Sequence, residues 1–421
     1  MATNALIDVF AFGIEIGKLG YNIDEKRSYF QYNPVFLDSG QYTMMFPYIF
    51  KRHKHPQIFA QYEGSAFRGL PPMIADSLPD LFGNIIFKEW FESKSMAFDK
   101  ISALEQLSYL ANRGMGALEY RPVVDIPTTA SVNFEEIVAV LQKVLEIKSE
   151  TSQESLSDLA LLNIFKIGTS AGGARPKILV SEHKITKVII PGDIEYSEAY
   201  NHYLVKLYID EQGRYNREKV EYGYHLLTQA AGIEMMECKL IDDRHFATLR
   251  YDRQHGQKQH VLTASGLTGW DYGRPEDSSY ENLFKLALGL KVPHKDIREL
   301  YRRMIFNVVF ANTDDHFKNH SFIYDNVRDS WNLCPAYDIT YPIDALHKFL
   351  KTARALSING KRIDINLEDV LSIAEAMVIK NPIKIIEEVQ GVIPEWNKIA
   401  HELEVPEAVS LSIIKDFKTL R

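Results

Sequence analysis

Cysteine is almost missing from this chain: its 421 residues include two, Cys238 and Cys334. Two are too few for a disulfide framework, and a reduced cytoplasm is the compartment they fit. They are also too few for a cysteine-based zinc site. Long apolar runs are missing as well. No stretch reaches the ~18 uninterrupted apolar residues of a membrane span, so no membrane partner is expected. The apolar start, MATNALIDVFAFGIEIG, meets its first charge at Asp8 and lacks the basic segment of a secretory signal. Positive charge is in deficit, with 48 Lys and Arg against 56 Asp and Glu, a net of −8. A chain of that sign does not wrap nucleic acid by itself, although Arg244, His245, Arg250 and Arg253 form a local basic cluster. The remaining composition, 46% hydrophobic and 25% charged, is that of a folded protein rather than a disordered one. The length suggests roughly two to three domains.

Patterning divides the chain. Up to about 125 it reads as mixed and mostly β, with short apolar strands expected at 7–12 and 42–50. Leu78-Pro79-Asp80-Leu81-Phe82-Gly83-Asn84 is a turn signal, followed by an amphipathic helix over 85–93. A helix over 101–111 ends at Asn112-Arg113-Gly114, a glycine C-cap signal. The Ser-rich segment 149–157 reads as a linker, and Ser157 suits the cap of a helix over 158–166. Strands are expected at 177–182, 185–190, 202–209, 235–241 and 245–251. One helix over 216–230 lies among them, with Val220, Tyr224, Leu227 and Ala231 on one face. From about 280 the period is helical, over 281–290, 295–311, 367–379, 382–391, 394–402 and 406–419. It is interrupted at 320–335 by two β-like runs around Asp325-Asn326.

The densest polar cluster follows the helix ending at Ala311: Asn312-Thr313-Asp314-Asp315-His316-Phe317-Lys318-Asn319-His320. Asp314 and Asn319 stand five apart, the separation of the Asp and Asn in a protein-kinase catalytic loop. In such a loop the Asp accepts the proton of the attacking hydroxyl and the Asn holds Mg²⁺. The hairpin then delivers Asp338, in the order of a kinase metal-binding Asp. The upstream order agrees: a glycine-rich loop at 168–177, a strand lysine at Lys206, a helix glutamate at Glu221 and a hinge at Leu249-Arg250-Tyr251-Asp252. Each has a plainer reading. The Asp–Asn spacing suits a polar loop ending a helix, Lys206 a solvent-facing strand residue, and Glu221 a first-turn acid favoured by the helix dipole. The glycine loop is not a P-loop, since Ala174 stands where lysine is required, but Gly172 and Gly173 let the backbone approach a phosphate closely.

Together these stretches resemble the HipA family of toxin-type serine/threonine kinases. The resemblance is carried by Asp76-Ser77-Leu78-Pro79-Asp80 with Gly83, by Gly114-Met115-Gly116-Ala117-Leu118, and by Gly172-Gly173-Ala174-Arg175-Pro176-Lys177. Asn312-Thr313-Asp314-Asp315-His316 with Lys318-Asn319-His320, and Pro335-Ala336-Tyr337-Asp338, complete it. It implies an α+β, two-lobed, atypical kinase-like fold. An extra N-terminal β-rich subdomain (1–155) would precede an N-lobe (156–252) and an all-helical C-lobe (253–421). It also implies the cofactors ATP and Mg²⁺, with Asp314 catalytic and Asn319 and Asp338 as metal ligands. Lys206, with Glu221 behind it, and Gly172, Gly173, Ala174 and Arg175 would contact phosphates. Leu249, Tyr251 and Asp252 would hold adenine. His316 would brace the loop and Lys318 would meet the γ-phosphate. Ser170 falls at the family's autophosphorylated serine, with Thr169 beside it as a rival acceptor. The implied partners are a protein substrate such as an aminoacyl-tRNA synthetase, a HipB-type helix-turn-helix antitoxin, and DNA through that antitoxin.

Two other readings stay open. Asp314, Asp315, His316 and His320 suit a metal-hydrolase cluster if further ligands converge on them. The chain also suits an inactive nucleotide-binding or antitoxin-binding scaffold, against which the presence of Lys206, Asp314, Asn319 and Asp338 argues.

Overall fold

A computed structural model describes residues 5–22, 24–64, 66–78, 88, 90–92, 97, 101–123, 133–149, 176–192, 197–209, 215–274, 276–342 and 353–421. The expected helix at 158–166, nearly all of the linker at 149–157, most of the helix at 85–93 and the glycine loop up to Arg175 lie outside these residues. The chain forms two compact units, one of residues 1–209 with 247–261, the other of 210–246 with 262–421. These limits are set by contacts, whereas 155 and 252 mark changes of sequence pattern.

The first unit opens with an antiparallel sheet. Strands β1 (Ala5–Ala11), β2 (Ile14–Asn22), β3 (Arg27–Tyr32), β4 (Gln57–Phe59) and β5 (Glu119–Arg121) lie in the order β4–β3–β2–β1–β5. Alternation does the sorting, since Ile7, Val9 and Ala11 of β1 are buried while Leu6 is exposed. Helices α1 (Pro34–Asp38), α2 (Pro72–Ala75), α3 (Ala103–Leu110) and α4 (Phe134–Ser149) belong to the same unit. A capping box starts α3, with Ser102 and Glu105 each bonding the other's backbone. At its end the left-handed residue is Ala111, with φ of 53°, rather than the expected glycine.

The strand expected at 42–50 does not form. Tyr42 has φ of 53°, and the Met45 N–H bonds back to the Tyr42 carbonyl at 3.2 Å. Pro47 offers no ladder donor. Met45, Phe46 and Phe50 of this run are buried instead, Phe50 stacking on Phe30 with centroids 4.2 Å apart.

The unit continues with β6 (Lys177–His183), β7 (Ile189–Pro191), β8 (Tyr200–Lys206) and β10 (His245–Leu249), ordered β7–β6–β8–β10. Register sets Lys177 opposite Lys206. The Arg250 N–H extends the β8–β10 pairing by bonding the His202 carbonyl at 2.8 Å. A tight hairpin follows, β11 (Arg253–Gln254) and β12 (Gln257–Lys258), turning through His255 and Gly256, both at positive φ.

The second unit is mainly helical, with α5 (Arg217–Ala230), β9 (Cys238–Ile241), α6 (Ala264–Thr268), α7 (Tyr280–Gly289), α8 (His294–Val309), α9 (Leu367–Ala376), α10 (Pro382–Gln390), α11 (Glu395–Glu402) and α12 (Glu407–Lys415). Val220, Tyr224, Leu227 and Ala231 are all buried, as the 3.6-residue period requires. Gly223 lets α5 and α11 approach, because a Cβ there would sit 3.1 Å from the Trp396 ring. The all-helical expectation for 253–421 is amended twice, by the β11–β12 hairpin and by a further sheet. The end of β13 (His260–Thr263) and the hairpin β14 (Ser321–Asp325) and β15 (Ser330–Leu333) form a three-stranded sheet. Aromatic alternation makes the ladder, and the Asp325 carboxylate accepts from the Val327 and Arg328 N–H groups to close the turn.

Buried histidines tie this fold to pH. Burial lowers the pKa of His225 in the second unit to about 4 and of His260 in the first to about 3. Each is neutral when folded and takes up a proton when unfolded. Stability is therefore lost as pH falls below about 6.5. Relative to pH 7.5, each histidine is expected to remove about 1 kcal/mol at pH 5.5, measurable as a lower Tm.

Candidate active site

The polar loop of the second unit is made by a helix stop. The expected helix to Ala311 ends at Val309, because Phe310 closes it and Ala311 turns left-handed at φ of 54°. That turn leads into Asn312-Thr313-Asp314-Asp315. A single 3₁₀ turn, Phe317–Asn319, then leads into β14.

The two adjacent aspartates have opposite fates. The Asp315 side chain is fully buried, and the Asp314 side chain is 70% exposed. Asp315 Oδ2 accepts from the Tyr280 hydroxyl at 2.8 Å and from Arg354 Nη2 at 2.9 Å, and Oδ1 from the Leu356 N–H at 3.3 Å. Burial alone would lower the Arg354 pKa, but the Asp315 carboxylate holds it above its ordinary value. Tyr280 also accepts from the Asn307 amide at 2.9 Å, and Asn307 Oδ1 accepts from the Asn312 amide at 3.0 Å. This buried network fixes both ends of the loop and leaves Asp314 directed to solvent.

Asn319 is pinned by its nitrogen, since Nδ2 donates to the Asp314 carbonyl at 2.7 Å. Asp338 arrives after the hairpin. The Ala336 N–H bonds the Glu234 carbonyl at 2.8 Å, Met235 and Ala336 form a parallel bridge, and Asp338 itself is left-handed at φ of 55°. Asn319 and Asp338 line one narrow polar cleft, together with Asn312, Asp315 and His320. Tyr337 ties the hairpin exit to the loop, donating to the Lys318 carbonyl at 2.7 Å and sharing a hydrogen bond with the Ser321 hydroxyl.

His316 and Lys318 meet at Tyr272, a residue with no sequence signal. The His316 ring lies 5.4 Å from the Tyr272 ring, its Nε2 is 3.8 Å from Asp314 Oδ1, and Lys318 Nζ sits 5.0 Å over the same tyrosine. Glu221 is buried in α5. Among the described residues, no group of three or more His, Cys, Asp and Glu is placed to hold a metal ion.

The first unit holds the other expected contacts. Lys206 closes β8 and is buried. Leu249 ends β10, and Tyr251 follows, nearly buried. The carboxylate of Asp252 is fully occupied. It takes Arg250 Nε and Nη2 at 2.9 and 2.8 Å, Arg253 Nη1 at 2.8 Å and the Gly116 N–H at 2.8 Å. Its carbonyl accepts from the Gln259 N–H at 3.0 Å. Gly172, Gly173, Ala174, Arg175, Ser170 and Thr169 lie outside the described residues.

Comparison with known proteins agrees with this architecture. The model of the HipA-like C-terminal domain matches residues 169–416, and that of the HipA N-terminal domain matches 7–121. The chain belongs to the HipA family, and its fold is an α+β, kinase-like one. Among solved structures it is similar to HipA of Shewanella oneidensis MR-1, determined in a complex with HipB and operator DNA. The TM-score is 0.62 at 15% identity, over 97% of this chain and 94% of that one. Among curated proteins, Y4dM of Sinorhizobium fredii, named as a candidate kinase, is 25% identical over 134 residues. That match takes in 28% of this chain and about a third, 32%, of the relative's length. Among the described residues no helix is long and apolar enough to cross a membrane.

Proposed function

We propose that this chain is a cytoplasmic, Mg·ATP-dependent serine/threonine protein kinase of the HipA toxin type. One observation carries the reading: the Asn319 amide is pinned to the Asp314 carbonyl while Asp338 enters the same cleft. The donor set fits magnesium. Asn319 and Asp338 offer hard oxygens, and Mg²⁺ takes one or two such ligands together with nucleotide phosphates rather than a full protein cage. Bound there, the ion would neutralise phosphate charge.

The chain's own residues supply the rest. Asp314, exposed and anchored at its backbone, orients the substrate hydroxyl and takes its proton. His316 and Lys318, gathered on Tyr272, flank that carboxylate, with Lys318 placing its ammonium toward the γ-phosphate. Lys206 and the backbone of Gly172 to Arg175 contact the phosphates, with Glu221 in the role of the kinase helix glutamate. Leu249, Tyr251 and Asp252 contribute main chain near adenine. Ser170 is the proposed autophosphorylation site, with Thr169 the alternative. A phosphate there adds about −1.5 to −2 charge and would repel ATP. The solved relative, bound to HipB and operator DNA, supports a small antitoxin partner and DNA contact through it. The substrate proposed by family likeness is a cytoplasmic protein such as an aminoacyl-tRNA synthetase.

Intact mass after incubation with Mg·ATP, followed by phosphosite mapping, tests this. One phosphate on Ser170 is expected. Phosphate elsewhere keeps the kinase and discards Ser170. If unmodified protein gains none and also binds no Mg·ATP, the scaffold reading replaces it. Asp338→Ala is expected to weaken nucleotide binding only when Mg²⁺ is present, which calorimetry with and without the ion would show.

A further inference from the structure

Behind the Asp314 loop, two buried acceptors lack a donor. Asn312 is 2% exposed and His320 5%. The Asn312 amide nitrogen is spent on Asn307, which turns Oδ1 the other way. One ring nitrogen of His320 is engaged by the Asp315 main chain, which leaves Nε2 as the acceptor. Asn312 Oδ1 and His320 Nε2 are both buried without a hydrogen-bond partner in the chain. Both side chains line the cleft that contains Asn319 and Asp338.

Nearby donors are already committed. Asn307 Nδ2 is on the Tyr280 hydroxyl, and the Tyr337 hydroxyl is on the Lys318 carbonyl. Arg303 is divided among Glu299 and the Cys334 and Glu234 carbonyls. An orphaned buried acceptor costs about 1–3 kcal/mol, so the cleft calls for a ligand bringing two protons. It has room for about one water molecule.

We propose that Asn312 and His320 are outer-sphere anchors for the cation held by Asn319 and Asp338: one metal-bound water donates its two protons to Asn312 Oδ1 and His320 Nε2. The proposal rests on the Mg·ATP reading. Its chemistry follows from magnesium's reluctance to dehydrate, which leaves several waters on the ion. A bound cation also makes its water a stronger donor. Both protons find acceptors, and the oxygen keeps a lone pair for the metal. Contacts of this kind change metal affinity by about 10–100-fold.

Calorimetry of a non-hydrolysable ATP analogue across a Mg²⁺ series tests it in wild type, His320→Phe and His320→Gln. The phenylalanine variant is expected to need 10–100-fold more Mg²⁺ for the same analogue affinity, with Mg²⁺-free binding unchanged. Glutamine, whose carbonyl replaces the acceptor, is expected to recover most of that loss. An unchanged Mg²⁺ requirement in folded His320→Phe overturns the proposal alone. Absence of Mg²⁺-dependent binding in wild type overturns the kinase reading with it. A crystal structure of the wild-type complex with Mg²⁺ and analogue needs no variant. A water shared by the metal, Asn312 and His320 supports the proposal, and an empty cleft or a metal directly on His320 refutes it.

Discussion

Asp252→Ala is expected to destabilise the first unit by about 3–5 kcal/mol, the range for breaking a buried ion pair by removing one partner. Asp252 is fully buried between Arg250 and Arg253, which are themselves 3% and 7% exposed. Burial alone would raise its pKa, but the two guanidiniums, with the Gly116 N–H, hold it far below the ordinary carboxylate range. Alanine leaves two buried cations and one backbone N–H without their acceptor. Arg253 would keep the Gly114 and Gly116 carbonyls, at 2.8 and 3.1 Å, and Arg250 would lose both of its bonds to the carboxylate. The neighbouring pair Lys258–Glu119, at 2.7 Å, does not compensate, because burial already lowers the Lys258 pKa to about 8. Asp252→Asn keeps an acceptor and loses the charge, so it is expected to fall between wild type and alanine. Urea unfolding followed by circular dichroism measures both. A loss below about 1 kcal/mol for alanine would place this triad with exposed pairs, whose contribution is small.

The polar loop itself is legible because it is local. Asp314, Asn319 and Asp338 are recognisable from spacing and order, and the cleft contains two of the three. What holds them is not local. The burial of Asp315 carries no sequence signal, since its partner Arg354 stands 39 residues later. Asp252 reads as a hinge residue from its order in the chain, and the backbone N–H that its carboxylate accepts from lies 136 residues earlier. The helices expected over 101–111, 216–230 and beyond 280 followed from their period to within a few residues, because that period is the condition for burying a face, whereas Phe134–Ser149 was not expected. The run at 42–50 reads as a strand, and it buries Met45, Phe46 and Phe50 without ladder pairing. Hydrophobicity alone cannot separate those outcomes when Pro47 and a left-handed Tyr42 break the backbone pattern.

The adjacent aspartates offer the sharpest separation of chemistry from architecture. Asp314→Ala removes an exposed carboxylate, so stability is expected to stay within about 0.5 kcal/mol of wild type. Phosphate transfer is expected to fall by about 10²–10⁴-fold, the share of a positioned general base. Asp315→Ala should do the reverse in kind. It leaves Arg354 and the Tyr280 hydroxyl buried without their acceptor, and the expected loss of stability is about 3–5 kcal/mol. The Ala355 N–H bonds the Thr313 carbonyl at 2.8 Å, so freeing Arg354 also loosens the residue before Asp314. Transfer by Asp315→Ala therefore declines through misplacement of Asp314 and should recover in part at low temperature, where the folded population is larger. Transfer by Asp314→Ala should not recover at any temperature. Paired Tm and transfer measurements on the two variants decide the assignment. Full transfer by Asp314→Ala would remove it as the base, and a stable but inactive Asp315→Ala would move the chemistry one residue along the chain.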